Sequence, residues 1–121
     1  MNENPKQRWK TVPLNKILFV DVETATGEES FELLSPRLQE LWLDKASKLG
    51  DRESSGLDDA AYYFKKASLY AEFGRVICVS IGVFPKDGSS FVVKSFAGID
   101  EAIILAEVSA LFRKEEVNRP F

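Results

Sequence analysis

One short stretch near the N-terminus, Lys16 to Thr24, constrains the fold more than any other part of this chain. Within it, Ile17 to Val20 is an unbroken apolar run with β-branched and aromatic members, which predicts a strand buried on both faces. Asp21 and Glu23 break the apolar pattern at the far end of the run. Because side chains alternate along a strand, these two carboxylates should lie on one face, about 6–7 Å apart.

The Asp21 and Glu23 pair has two interpretations. Two carboxylates held close on a rigid strand repel each other unless a cation lies between them or one of them stays protonated. Hard oxygen ligands of this kind bind Mg²⁺ or Mn²⁺, so the pair is a candidate metal site. Alternatively, the two acids only mark the point at which a buried strand reaches solvent, and their spacing does not decide between the two.

The composition excludes several classes of function. A chain of 121 residues forms one domain at most, and its net charge of −3 argues against binding nucleic acid through bulk electrostatics. An acidic chain can still be a nuclease, because a nuclease site must itself be acidic to hold metal. The sequence has no histidine, which removes Ser-His and Cys-His catalysis and His-ligated zinc.

The cellular compartment is predicted from what the sequence lacks. Cys78 is the single cysteine, so no internal disulfide can form, and this fits a reducing compartment. Residues 1–16 are polar and carry no secretory signal, and no apolar run approaches the length of a membrane span. We therefore expect a cytoplasmic protein.

Beyond the first strand, the apolar pattern predicts five further elements. In chain order they are a helix opened by Ser35-Pro36 and stopped at Gly50, a helix from Leu57 to Ser68, a strand from Arg75 to Phe84, a strand from Ser90 to Phe96, and a helix capped by Asp100 that finishes near Lys114. A Pro85 to Gly88 turn joins the last two strands in a hairpin. The last helix is expected to bury one apolar face made of Ile104, Val108, Leu111 and Phe112. We predict an α/β fold with a mixed sheet over residues 16–114, between a polar arm at 1–15 and an irregular tail at 115–121.

Two clusters have both a nucleic-acid interpretation and a structural one. Phe64 falls on the predicted apolar stripe of the second helix, beside Tyr62 and Tyr63. These rings could form a stacking platform for bases, but ordinary helix packing is the more common role. The N-terminal arm carries a Lys6 to Lys10 basic cluster around Trp9, which either contacts nucleic acid or is a frayed terminus.

The residues around the first strand resemble a known family. Phe19 to Thr24, Phe-Val-Asp-Val-Glu-Thr, is similar to the first motif of the DEDD-type 3′–5′ exonucleases, which have a ribonuclease H-like fold. Leu34 to Leu49 and above all Tyr70 to Gly82 look like one bacterial branch of that family, related to the proofreading domain of family B DNA polymerases. The similarity spans roughly Lys16 to Phe112. It implies an incomplete ribonuclease H-like order: a first strand, a two-helix insert, an antiparallel hairpin and a helix.

The resemblance implies a two-metal mechanism acting on a nucleic acid 3′ end, with Mg²⁺ or Mn²⁺ ions about 3.5–4 Å apart. One ion would activate water and the other would stabilise the leaving oxygen. By this resemblance, Asp21 would bridge both ions and Glu23 would hold one of them. Thr24 would lie against the terminal nucleotide.

The sequence departs from the family after these residues. Members carry a second motif with an Asp, and a third with a Tyr or His followed by an Asp, farther along the chain. Neither appears before Phe121, so two of the four metal carboxylates are missing. We therefore expect the N-terminal part of an exonuclease, inactive as this chain alone. The alternative is a nuclease-derived module that binds a partner or dimerises. A haloacid dehalogenase-type phosphatase fits poorly, because it needs Asp-x-Asp where this chain has Glu23.

A structural expectation follows from the same departure. In the family the first strand is central and pairs on one side with a strand that this chain lacks. The Ile17 to Val20 backbone would then be an exposed apolar edge, which proteins rarely leave bare. We expect a second copy in a homodimer, a swapped segment or a chain tail to cover it.

Overall fold

The computed structural model describes residues 12–115, which form a mixed α/β structure. Its strands and helices are β1 (Leu18–Thr26), α1 (Pro36–Ser47), α2 (Asp59–Lys66), β2 (Gly74–Val83), β3 (Val92–Ala97) and α3 (Glu101–Glu115). The element order is the predicted one. Most of the predicted N-terminal arm and all but the first residue of the predicted tail lie outside the described residues. None of the helices within residues 12–115 has the length and apolar character needed to cross a membrane.

The three strands form one antiparallel sheet in the order β1-β2-β3. The predicted hairpin is confirmed, since β2 and β3 pair in a register that runs from Cys78 opposite Ala97 to Val83 opposite Val92. Gly88 ends the predicted turn with a φ of 77°, a conformation that glycine adopts without steric cost. The sheet of residues 12–115 contains no parallel pair, so the mixed sheet predicted from the sequence is not seen there.

Two compact units make up the chain. The first unit contains residues 12–23 and 77–115 of the described part, and the second contains Thr24–Val76. The second unit therefore corresponds to the two-helix insert recognised in the sequence. Each unit has its own buried side chains.

The first unit buries one face of its sheet. Val79, Ile81 and Val83 alternate along β2 and are all buried, as a strand with one covered face requires. Helix α3 packs against β3 and buries Ile104, Val108 and Leu111, three of the four residues predicted for its apolar face. The Asp100 carboxylate caps this helix as predicted, accepting a hydrogen bond from the Ala102 N–H at 3.0 Å.

Strand β1 differs from its prediction in two ways. It continues past the apolar run, so Asp21 and Glu23 lie inside the strand and not at its end. It is also exposed, not buried on both faces: Phe19 and Val20 keep 42% and 52% of their surface. The reason is its place in the sheet, since β1 pairs with β2 on one side and no described strand lies on the other.

Trp42 is the centre of the second unit. It has no exposed surface, and its ring lies 5.1–6.4 Å, centroid to centroid, from four other aromatic rings: Tyr62, Tyr63, Tyr70 and Phe73. Helix α1 presents Trp42 and Ala46 to this core. The helix begins as predicted, because the Ser35 hydroxyl accepts a hydrogen bond from the Leu38 N–H at 3.3 Å.

Helix α2 shows which aromatic residues pack. Tyr62 and Tyr63 are fully buried, so the packing interpretation is correct for these two and they are not available to stack on bases. Phe64, predicted on the apolar stripe, is 73% exposed. The helix starts only at Asp59, capped by Asp58, and it has eight residues. Such a short helix buries the two adjacent tyrosines next to Trp42, and this turns Phe64 toward solvent.

Candidate metal centre

The two predicted metal ligands lie on the same face of β1. Asp21 and Glu23 are both exposed, and they are two positions apart on the strand, which is about 6–7 Å along it. Neither carboxylate takes part in any of the salt bridges found within residues 12–115. The strand therefore presents two accessible oxygen ligands on one side.

A shallow groove of about 290 Å³ surrounds Asp21. Its walls come from three parts of the first unit, and the lining residues are Phe19, Val20, Asp21, Ser80, Gly82, Phe91 and Val93. One end is aromatic, with the rings of Phe19 and Phe91 packed edge to face at 5.4 Å. The groove is thus apolar with one carboxylate and one hydroxyl, and it lies on the sheet face opposite the buried valines of β2.

The sequence interpretation did not include the hydroxyl of this groove. Ser80 on β2 is directly opposite Ser95 on β3, and their Oγ atoms are 2.7 Å apart, so one hydroxyl donates a hydrogen bond to the other. Part of the signal for this position is in the sequence, since the alternation of β2 places Ser80 on the sheet face opposite to that of Ile81. The pairing with Ser95 is not, because eight residues lie between Val83 and Val92 and leave the hairpin register open.

The oxygen ligands at this site are of the type that a divalent cation prefers, but they are too few to hold one. Carboxylates and hydroxyls are hard oxygen ligands of the type that Mg²⁺ and Mn²⁺ prefer. Within residues 12–115, however, no three side chains of the His, Cys, Asp and Glu types lie close enough together to hold a metal ion. Asp21 and Glu23 can supply two ligands, and the remaining positions would need water or further acids.

Thr24 already uses its hydroxyl within the second unit. Its Oγ1 donates a hydrogen bond of 2.7 Å to the Ser68 carbonyl. A side chain at position 74 would meet the same carbonyl, since a Cβ built on Gly74 would lie 2.7 Å from the Ser68 oxygen. The Thr24 hydroxyl therefore anchors this turn, and a contact with a terminal nucleotide remains a prediction from the resemblance.

A second groove, of about 480 Å³, lies on the second unit, between α1 and Phe73. The charges along it are paired: the Lys45 ammonium forms a 2.9 Å salt bridge with Glu72 and lies 4.4 Å from the centre of the Tyr70 ring. This salt bridge lowers the pKa of the Glu72 carboxyl below its usual range. The groove is larger than the one around Asp21, but its paired charges make it a weaker candidate for metal chemistry.

Among the described residues, the titratable group with the largest pKa shift is Tyr62, in the core of the second unit. Its hydroxyl donates a 2.7 Å hydrogen bond to Asp51, which also forms a 2.7 Å salt bridge with Lys66. Burial, followed by the hydrogen bond to Asp51, raises the pKa of Tyr62 to about 12. Hydrogen bonds from Lys66 and Tyr62 lower the pKa of Asp51. Tyr62 and Lys66 are each bonded to the Asp51 carboxylate, so the polar groups of this cluster have partners and we assign it a structural role.

The raised pKa of Tyr62 predicts a loss of stability in alkali. Between pH 10, the ordinary tyrosine value, and about pH 12, the unfolded chain releases the Tyr62 proton while the folded chain keeps it. The free energy of unfolding should therefore fall through this interval. A tyrosinate absorbance titration, with circular dichroism to follow folding, should show a transition near pH 12 that Tyr62→Phe removes. Tyr70→Phe is the matched control and should leave it in place; ionisation of Tyr62 near pH 10 in the folded chain would contradict the prediction.

Comparison with protein-family models, curated proteins and solved structures finds no match to this chain. The exonuclease resemblance therefore rests on the residues of the sequence itself. What the fold adds is the arrangement of those residues: a strand with two acids on one face, an inserted pair of helices, and an antiparallel hairpin followed by a helix.

Proposed function

We propose that this chain is the N-terminal part of a metal-dependent 3′–5′ exonuclease of the DEDD type, with a ribonuclease H-like fold. The observation that supports this most is the placement of Asp21 and Glu23 on the same face of an accessible strand. The order of elements after that strand is the one that the resemblance implies. The substrate would be the 3′ end of a nucleic acid, in the cytoplasm of a bacterium.

In this proposal, the residues of the chain bind the metal and orient the substrate beside it. Asp21 and Glu23 would bind the metal through their carboxylates, beside the open apolar groove that Asp21 lines. Divalent ions bound there would supply an activated water and would stabilise the charge on the leaving oxygen. The Ser80 hydroxyl, in the same groove, can donate or accept a hydrogen bond there.

Two acids are too few for this chemistry, so the proposal needs two more. The described residues form no cluster of three possible metal-ligating side chains. We propose that a further segment of the protein supplies the remaining carboxylates, which makes the 121-residue chain inactive by itself. With only two carboxylates, this chain should bind Mn²⁺ weakly.

Metal binding tests this proposal directly. Electron paramagnetic resonance of Mn²⁺ titrated into the 121-residue chain should show one weak class of sites, which Asp21→Asn and Glu23→Gln each abolish. Glu53→Gln is the matched control, because it removes the same charge from an exposed acid on the other unit and should leave Mn²⁺ binding unchanged. In a longer form with nuclease activity, Asp21→Asn should abolish that activity. Equal Mn²⁺ binding in Asp21→Asn and Glu53→Gln would contradict the proposal.

A second candidate function is an interaction module without catalysis, derived from a nuclease. It is supported by a different observation, the exposed apolar side chains of the edge strand β1: Leu18, Phe19, Val20 and Val22 are 42–52% exposed. Exposed edges of this kind pair readily with another strand. The Mn²⁺ experiment separates the two candidates, since an interaction module needs no site-specific metal binding at Asp21.

A further inference from the structure

We infer that the groove beside Asp21 binds one nucleoside, whose base stacks in a corner formed by the Phe19 and Phe91 rings. The choice of a nucleoside as the ligand rests on the proposed function, because the groove borders one of the candidate metal ligands. The stacking itself needs no metal and no phosphate. It can therefore be tested separately from metal binding.

Three phenylalanine rings form a cluster on this face of the sheet. The Phe91 ring lies 4.8 Å from that of Phe84 and 5.4 Å from that of Phe19, centroid to centroid. Phe19 and Phe91 nevertheless keep 42% and 41% of their surface exposed. Because burying aromatic rings is strongly favourable, exposed rings grouped beside a groove are typical of a binding site.

The geometry of the rings suits a planar ligand. The planes of Phe19 and Phe91 are 89° apart, so the two rings form a corner. A base that lies parallel to one of these rings meets the other at a right angle. Stacked and edge-to-face contacts are the two arrangements that aromatic rings prefer. The corner is also held in place without a ligand, since the tip of the Phe91 ring lies against Gly82.

The size and the charge of the groove also favour a nucleoside. A volume of about 290 Å³ is near the lower end for small-molecule sites, about 300–1,000 Å³, so the groove has room for one base and its sugar. Asp21 is the one charged residue among those that line it. An uncharged base matches the neutral part of the groove, and in a nucleic acid its phosphate would lie at the Asp21 end, beside the proposed metal.

The polar groups of the groove predict that it accepts any base. Ser80 is the one neutral polar side chain among the lining residues. Its hydroxyl shares a 2.7 Å hydrogen bond with that of Ser95, which leaves the pair one proton to donate. A single donor cannot distinguish the edges of the different bases, whereas every base has a π-face that can stack.

Titration of the 121-residue chain with adenosine, followed by nuclear magnetic resonance, tests the site. Adenosine carries no phosphate and EDTA removes metal, so neither the charge of the chain nor a bound ion affects the result. We expect saturable shifts at the amides of Ser80, Gly82 and Val93, three residues that line the groove. Cytidine should shift the same amides with an affinity within about tenfold of that of adenosine, and ribose alone should shift none of them.

Variants of Phe91 separate stacking from general apolar contact. Phe91→Leu keeps an apolar side chain over Gly82 but has no π-face, and it should weaken adenosine binding at least about fivefold. Phe91→Tyr keeps the ring and should bind adenosine within about twofold of the original chain. Phe112→Leu is the matched control, because Phe112 is 40% exposed in the same unit but lies on α3, and it should leave binding unchanged. If Phe91→Leu does not fold, Phe19→Leu carries the same expectation.

Two results would overturn the inference. One is the absence of saturable shifts at the groove of the original chain, and the other is equal adenosine binding by Phe91→Leu and Phe112→Leu. Mn²⁺ binding is measured without a nucleoside, so the two proposals fail separately. Mn²⁺ binding at Asp21 without adenosine binding would reject only the stacking site, and adenosine binding without Mn²⁺ binding would reject only the proposed metal-dependent exonuclease.

Discussion

Replacing Trp42 with alanine is expected to destabilise the second unit by about 3–5 kcal/mol. Trp42 has no exposed surface and contacts four aromatic rings, so its removal leaves a cavity that these large rings cannot fill by small shifts. Urea unfolding followed by far-ultraviolet circular dichroism measures the loss, because the variant lacks the fluorescence of the buried indole.

Phe64→Ala is the matched control for Trp42. Phe64 is 73% exposed, so its truncation should change the free energy of unfolding by no more than about 0.5 kcal/mol. Trp42→Phe should fall between the two, because the buried Trp42 Nε1–H has no hydrogen-bond partner among residues 12–115, and phenylalanine removes that donor. A cost for Phe64→Ala comparable to that of Trp42→Ala would show that α2 packs through the stripe expected from the sequence.

Ile104→Ala should cost about 2–5 kcal/mol of stability in the first unit. Ile104 is 1% exposed on α3, whereas the preceding residue, Ile103, is 58% exposed. Ile103→Ala therefore makes a close control: both substitutions replace isoleucine with alanine in one helix, so the gain in helix propensity is nearly the same in both. The difference between their urea unfolding free energies isolates the burial of Ile104. A difference below about 1 kcal/mol would mean that α3 does not pack through this face.

Local features of the fold could be predicted from the sequence because they depend on residues close in the chain. Ser35 and Pro36 start α1, Asp100 caps α3, and the Pro85 to Gly88 turn joins β2 to β3 as expected. Each of these depends on an interaction between residues a few positions apart. Short-range chemistry of this kind does not change with the rest of the structure.

The sequence predictions of burial are wrong where residues distant in the chain decide whether a side chain is buried. The apolar run from Ile17 to Val20 indicates a strand, but only the pairing of the whole sheet determines that β1 is an edge. Likewise, the sequence pattern places Phe64 on the apolar stripe of α2, and the position of Trp42 decides that Tyr62 is buried and Phe64 is not. Phe112, predicted in the apolar face of α3, is 40% exposed for the same kind of reason.

The candidate site was predictable only in part. The shared face of Asp21 and Glu23 follows from the alternation of a strand and needs no knowledge of the fold. Ser80 lines the same groove only because β2 lies beside β1 in the sheet. The sequence around either strand does not reveal that the two strands are neighbours. The Thr24 hydrogen bond to Ser68, 44 residues away, is likewise invisible to local patterns.

The groove beside Asp21 also contains a pair of positions that should evolve together. The Phe91 ring occupies the space where a Cβ of Gly82 would be, so position 82 cannot gain a side chain while that ring stays in place. The glycine lies opposite Val93, and Phe91 is its diagonal neighbour on the same sheet face. In descendants of this chain, a larger residue at position 82 should therefore appear only with a smaller one at position 91, a coupled change across two strands.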